Sequence, residues 1–234
     1  MLAKRIIPTI LVRGQTAFKG PGFGAQCTRS VGSALAIART HARRGVDELL
    51  ILDIGATPEG RSPDFELVTA LADGCFIPIT VGGGVKSLDD IDALLRAGAD
   101  KVAIGAEARR LHSTLIRDAA DRFGAQAIVQ IVELRTLGHS KYDLHAGELV
   151  IQAVDAEGLM GGYPQIEHTL GDFDQRLFKG PVIFSGGCSG PADMLAAIRA
   201  GADGVAAGAL FQFTDTTPRD CARYLKANGV EVRL

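Results

Sequence analysis

The chain has 234 residues, of which 47% are hydrophobic and 22% charged, and its formal net charge is −2 at pH 7. That length suits one large domain or two small ones and can bury a sizeable core. The near-neutral balance gives no basis for nucleic acid or an anionic membrane surface as a partner, and no apolar run is long enough to span a bilayer. Four scattered cysteines (Cys27, Cys75, Cys188 and Cys221) form no CxxC pair, which points to a reduced, cytoplasmic setting without a metal site. His139 and His145 share a polar loop but have no third ligand beside them. No cofactor is expected.

The stretch MLAKRIIPTILVRG starts basic, but its apolar run ends at Arg13 without a small-residue cleavage site. It reads as a first strand over 5–12, not as a signal peptide. A glycine-rich loop at 13–24 follows, then a helix over 31–44. Further strands are predicted at 47–53, 77–81, 100–104, 127–133, 147–153, 181–185 and 203–207. Between and after them lie predicted helices at 63–74, 87–97, 112–124, 164–178, 191–200 and 217–228. Several strands are apolar throughout, as parallel strands covered on both faces are. Eight strands with intervening helices predict an α/β fold, a single (β/α)8 TIM barrel over 1–234. The alternative is an open doubly wound sheet.

An internal repeat favours the barrel. PITVGGGVKSLDDIDALLRAGADKVAIGA aligns without gaps on PVIFSGGCSGPADMLAAIRAGADGVAAGA, 103 positions later, so that Pro78 meets Pro181 and Gly105 meets Gly208. Weaker echoes link DELLIL with GELVIQ and IIPTILVR with IVQIVELR. Strands 1–4 therefore match strands 5–8, a twofold half-barrel. One piece is short: about a dozen residues separate strands 5 and 6, near the minimum for a complete crossover. The fifth helix is expected to be absent or a single turn, leaving an apolar flank on strand 5 as a candidate contact site unless the loop folds over it.

The loops that follow the strands form the active face of such a barrel, and glycine turns allow a backbone to approach an anion closely. Gly82, Gly83 and Gly84 after strand 3 pair with Gly105 and Ala106 after strand 4. Ser185, Gly186 and Gly187 after strand 7 pair with Gly208 and Ala209 after strand 8. Two such cradles on opposite sides of one mouth fit a substrate with a phosphate at each end. The competing reading is that these glycines only make tight turns.

MLAKRIIP, VDELLILDI, FIPITVGGGVKS, LLRAGADKVAI and YLKANGVEVRL together resemble the cyclase subunit of imidazole glycerol phosphate synthase over nearly the whole chain. The resemblance implies a twofold barrel that binds a bisphosphorylated substrate. It also implies a glutaminase docked at the N-terminal face, whose ammonia travels through the barrel. Two aspartates, ending strands 1 and 5, would carry the family's acid–base chemistry; here those positions are Leu11 and Glu133. Leucine cannot move a proton, and losing one acid–base group costs on the order of 10²–10⁴ in rate. Lys19 matches a lysine on the family's mobile lid, and Asp53, ending strand 2, also matches a site position, although an aspartate there can simply cap its loop. The strand 6 aspartate is Glu157 in VDAEG, and Gly158 beside it counts among the phosphate-binding positions.

At the other mouth, Arg5, Glu48, Lys101 and Glu148 lie near the N-terminal ends of strands 1, 2, 4 and 6 and could close into a ring of ion pairs. The resemblance implies an ammonia gate there, with Asp100 beside it as a glutaminase contact; the plainer reading is ion pairs that stabilise the floor. Three functions remain open. The chain could be an ammonia-using synthase subunit acting on, or passing ammonia toward, a phosphorylated sugar-type substrate. It could be a genuine cyclase using Glu133 with Asp53 or Glu157, or a non-catalytic phosphate-binding scaffold.

Overall fold

The computed structural model describes residues 3–23, 27–135, 138–139, 142–163 and 177–234. Strand β1 (Arg5–Arg13) sets the packing rule, because successive strand side chains point to opposite faces. Ile6, Ile10 and Val12 join the outer core beneath the helices, whereas Ile7 and Leu11 join a smaller apolar cluster inside the barrel. The same alternation runs through β4 (Leu49–Asp53), β5 (Ile79–Gly82), β6 (Lys101–Ile104), β7 (Ile128–Arg135), β9 (Glu148–Ala153), β10 (Val182–Ser185) and β11 (Gly204–Ala207). These eight strands pair in parallel and in chain order, and β11 closes on β1 from Arg5↔Gly204 to Pro8↔Ala207. The fold is a closed (β/α)8 barrel, and the open-sheet alternative falls away.

Helices α1 (Ala34–Arg43), α2 (Phe65–Gly74), α3 (Leu88–Arg96), α4 (Ala106–Leu111), α5 (Leu115–Phe123), α6 (Pro191–Arg199), α7 (Ala209–Phe213) and α8 (Pro218–Ala227) surround it. Their starts are marked in sequence. Ser87 with Asp90 and Thr217 with Asp220 form capping boxes, Asp64 caps α2, and Pro191 opens α6. Such caps are each worth about 1 kcal/mol. Among the described residues no helix is long and apolar enough to cross a membrane.

The twofold repeat is visible bond by bond. The Ile79 N–H donates to Asp100 Oδ2 at 2.8 Å, and the Val182 N–H donates to Asp203 Oδ2 at 3.1 Å. Short helices α4 and α7 likewise begin at matching positions, Ala106 and Ala209.

Several sequence expectations need correction. The glycine-rich loop continues β1 as a meander, β2 (Thr16–Lys19) and β3 (Arg29–Ser33), with Leu11 paired to Phe18 and Lys19 to Arg29. Because Ser33 caps α1, that helix starts three residues later than 31. The helix expected over 112–124 is α5, preceded by the separate α4, and α7 was not anticipated. The helix expected over 164–178 lies, except for its last two positions, outside the described residues.

In the connection between β7 and β9, the described residues form β8 (Gly138–His139), antiparallel to β7, and a turn over 142–147. Strand β7 does not show an apolar flank. Ile128 and Val132 are fully buried, and Tyr142 and Ala146 pack on the same core. Gln130, also fully buried, accepts the Asp143 N–H through its amide oxygen at 2.6 Å and so ties the turn onto the strand.

Candidate functional site

The C-terminal mouth holds two unequal halves. On the first-half side, a cavity of about 340 Å³ is bordered by Asp53, Gly83, Gly84, Gly105, Ala106 and Glu133. The structure thus brings six of the sequence-predicted residues together. Gly105 faces open space: a Cβ placed there would meet nothing within 4 Å. Gly83 and Gly84 have φ of +102° and +76°, a region that disfavours side chains. At Gly83 a Cβ would stand 2.2 Å from the Asp53 carbonyl oxygen, so this glycine is required by the neighbouring strand end as well as by the turn. Gly82 points instead into the barrel wall, against Ala103.

The two carboxylates on this cavity are differently occupied. Asp53 receives the backbone N–H groups of Gly55 and Ala56 at 3.0 and 3.1 Å and a two-pronged ion pair from Arg61 at 2.7 and 2.8 Å. Those four donors make Asp53 the anchor of the 54–61 loop. Glu133 is one-third exposed at the end of β7, with Arg135 Nη2 at 3.0 Å from its carboxylate. Sequence reasoning passed over both arginines. Arg135 follows Glu133 by two on one strand and therefore shares its face, a readable signal; Arg61 sits in an irregular loop and carries none.

Among the described residues the second-half side is much tighter. Gly158, Gly186, Gly187, Gly208 and Ala209 border a space of only about 10 Å³. Lys19 does not reach the Glu133 cavity: it is 1% exposed, 3.4 Å from Glu157 Oε1, and its ammonium lies where a Cβ on Gly208 would be. Gln152 Nε2 donates to the other Glu157 oxygen at 3.0 Å. Ser185 is buried, and its hydroxyl, like Thr9 Oγ1 and Gln152 Oε1, has no hydrogen-bond partner among the described residues.

At the opposite, N-terminal mouth four side chains close a ring. Arg5 bonds Glu48 and Glu148 at 2.7 Å each; Lys101 Nζ reaches Glu48 at 2.9 and 3.0 Å and Glu148 at 3.2 Å. Thr80 adds a hydroxyl to Glu48. Burial opposes the Arg5 charge, but Glu148 and Glu48 outweigh it and hold its pKa above the ordinary value. Asp100 clamps the start of β5, as its repeat mate Asp203 clamps β10. Just before β5, Phe76 projects 94% exposed. Elsewhere all four cysteines are free and buried, and no group of three or more His, Cys, Asp or Glu among the described residues could hold a metal ion.

The family described as histidine biosynthesis protein matches residues 5–142 and 130–217. The imidazole glycerol phosphate synthase subunit HisF of Dictyoglomus turgidum is 34% identical over 257 aligned positions, covering 100% of both chains. The same-named subunits of Exiguobacterium sibiricum and Bacillus cereus are 35% and 36% identical, again with 100% of each chain covered.

Proposed function

This chain belongs to the histidine biosynthesis protein family, and from that premise we propose that it is the synthase subunit of a glutamine-dependent amidotransferase. It receives ammonia from a glutaminase at the N-terminal barrel face and delivers it, through the barrel, toward a phosphorylated sugar-type substrate at the other mouth. The observation that carries this reading is a contrast. The four-residue ring at the N-terminal entrance is complete, while the end of β1 carries Leu11, fully buried, where acid–base chemistry needs an ionisable group. The ring contains two cations and two anions and so presents no net charge to a small neutral molecule. Beyond it, the oxygens of Thr9, Gln152 and Ser185, which have no hydrogen-bond partner among the described residues, are hydrogen-bond sites for such a molecule inside the barrel. Phe76 supports docking, since an exposed aromatic beside a functional mouth suits a protein interface. A phosphate would lie against Gly84, Gly105 and Ala106, where α4 begins without a side-chain cap.

A second reading, a genuine imidazole glycerol phosphate cyclase, is supported by Glu133, which shares one cavity with Asp53. Co-purification with a glutaminase separates the two. The proposed function expects a complex in which glutaminase activity rises, weakened at least tenfold by Lys101→Glu, without ammonia-dependent turnover of the cyclase family's ribulosyl substrate. Turnover of that substrate, or rescue of a histidine auxotroph, moves the assignment to the cyclase. Phosphate binding without any glutaminase partner leaves only a scaffold.

A further inference from the structure

The repeat predicts two equal anion cradles, but the structure makes them unequal. The first borders about 340 Å³ and the second about 10 Å³, roughly the space of one water molecule. What fills the second is the protein itself. The Lys19 ammonium rests against Gly208, and the Glu157 carboxylate faces it, with side chains only 2% and 5% exposed. Glutamate is one methylene longer than the aspartate that the family resemblance expects at this place, which extends the carboxylate's reach toward Lys19.

Contacts from the β2–β3 meander hold the pair in place. The Gly22 N–H donates to the Glu157 carbonyl at 2.9 Å, and a Cβ on Gly158 would stand 2.1 Å from the Gly20 carbonyl oxygen. The Arg29 guanidinium lies over the Phe213 ring of α7, 4.7 Å from its centroid. A phosphate entering here would meet a buried carboxylate of like charge and find its cationic partner already paired.

We propose that Glu157 acts as a built-in anion that occupies the second cradle, so that the protein takes a substrate with one phosphate, bound at the first cradle. Glu157 is thus a specificity-determining residue. The inference rests on the phosphorylated-substrate reading above and narrows its substrate class from phosphorylated to monophosphorylated, whereas the sequence repeat alone fits a phosphate at each end.

The test is a titration of the full chain with inorganic phosphate, followed by the backbone amide signals of each cradle in solution NMR. Gly84, Gly105 and Ala106 report the first; Gly187, Gly208 and Ala209 report the second. In the unaltered protein only the first set should shift saturably. In Glu157→Ala the freed Lys19 should draw phosphate to the second set with at least a tenfold gain in affinity. Glu157→Asp, which keeps the charge and shortens the arm, is the gentler variant if the alanine form does not fold, and should give a smaller gain of the same sign. Saturation of both sets in the unaltered protein with affinities within threefold overturns the proposal while leaving the phosphate reading intact. A second set that stays silent in a folded Glu157→Ala or Glu157→Asp also overturns it. Silence of the first set in every form removes the phosphate reading itself.

Discussion

Replacing Lys101 by methionine tests whether the N-terminal ring is an energetic unit. Methionine keeps most of the stem and removes the ammonium that lies 2.9 and 3.0 Å from the two oxygens of Glu48 and 3.2 Å from Glu148. Arg5 is then the one ring cation for two carboxylates whose side chains are 4% and 8% exposed. Removing one partner of a buried pair costs about 3–5 kcal/mol; because Lys101 is itself 19% exposed, solvent screens part of the interaction and the lower end, about 3 kcal/mol, applies. Adding Glu48→Gln to Lys101→Met restores one cation to one anion and keeps an acceptor for Thr80. The double variant should recover about half of the loss. Urea unfolding measures this as a lower midpoint at constant slope, by about 1 M for the single variant. A single variant within about 0.5 kcal/mol of the unaltered protein, or a double variant less stable than the single, refutes the reasoning.

Burial, with the charges of Arg44 and Lys19 nearby, lowers the His41 pKa from 6.5 to about 4. Above pH 6.5 the imidazole is neutral in both folded and unfolded chains; below it only the unfolded chain takes the proton, so stability falls, by about 3 kcal/mol on reaching pH 4. His41→Phe should flatten that part of the curve, and an unchanged slope between pH 6.5 and 4 in unfolding midpoints counts against it. Gly83→Ala must place a Cβ against the Asp53 carbonyl at positive φ, and should cost more than about 3 kcal/mol or prevent folding. Gly105→Ala meets nothing within 4 Å, and should stay within about 0.5 kcal/mol in the same assay. Arg61→Ala leaves the buried Asp53 carboxylate with backbone donors from Gly55 and Ala56, and should cost about 2 kcal/mol in unfolding measurements.

The barrel was legible because its signals are periodic. Each of the eight strands lies within about two residues of its expected place, since parallel strands covered on both faces leave apolar runs such as LLIL in the sequence. The two glycine turns were legible for a related reason, since their geometry is local. The meander was not. TAFK and RSVGS lack the apolar density of a core strand, and they pair because β1 extends beyond the barrel and offers its edge. Lys19 could be placed on a lid but not at a destination. Its ammonium crosses to residue 157, and no periodicity encodes a contact 138 positions away. Asp53 shows the same limit, because its occupation by Arg61 depends on how an irregular loop folds back. For the flank of β7 the sequence leaves two readings, an exposed apolar strip or a loop folded over it, because the short connection does not encode where it packs. The turn tied down by Gln130 takes the second.

The place of Leu11 bears on how this protein can change over evolutionary time. The leucine is fully buried in an apolar cluster with Leu52, Ile54 and Cys27, and Phe18 and Phe23 of the meander pack on that cluster. An aspartate introduced there now would bury an unpaired carboxylate among hydrocarbon and aromatic neighbours, a change that costs several kcal/mol before any chemistry could compensate. Acid–base chemistry at the end of β1 is therefore not one substitution away from this protein: a carboxylate at position 11 becomes tolerable only after the covering residues have retreated, through intermediates less stable than the present chain.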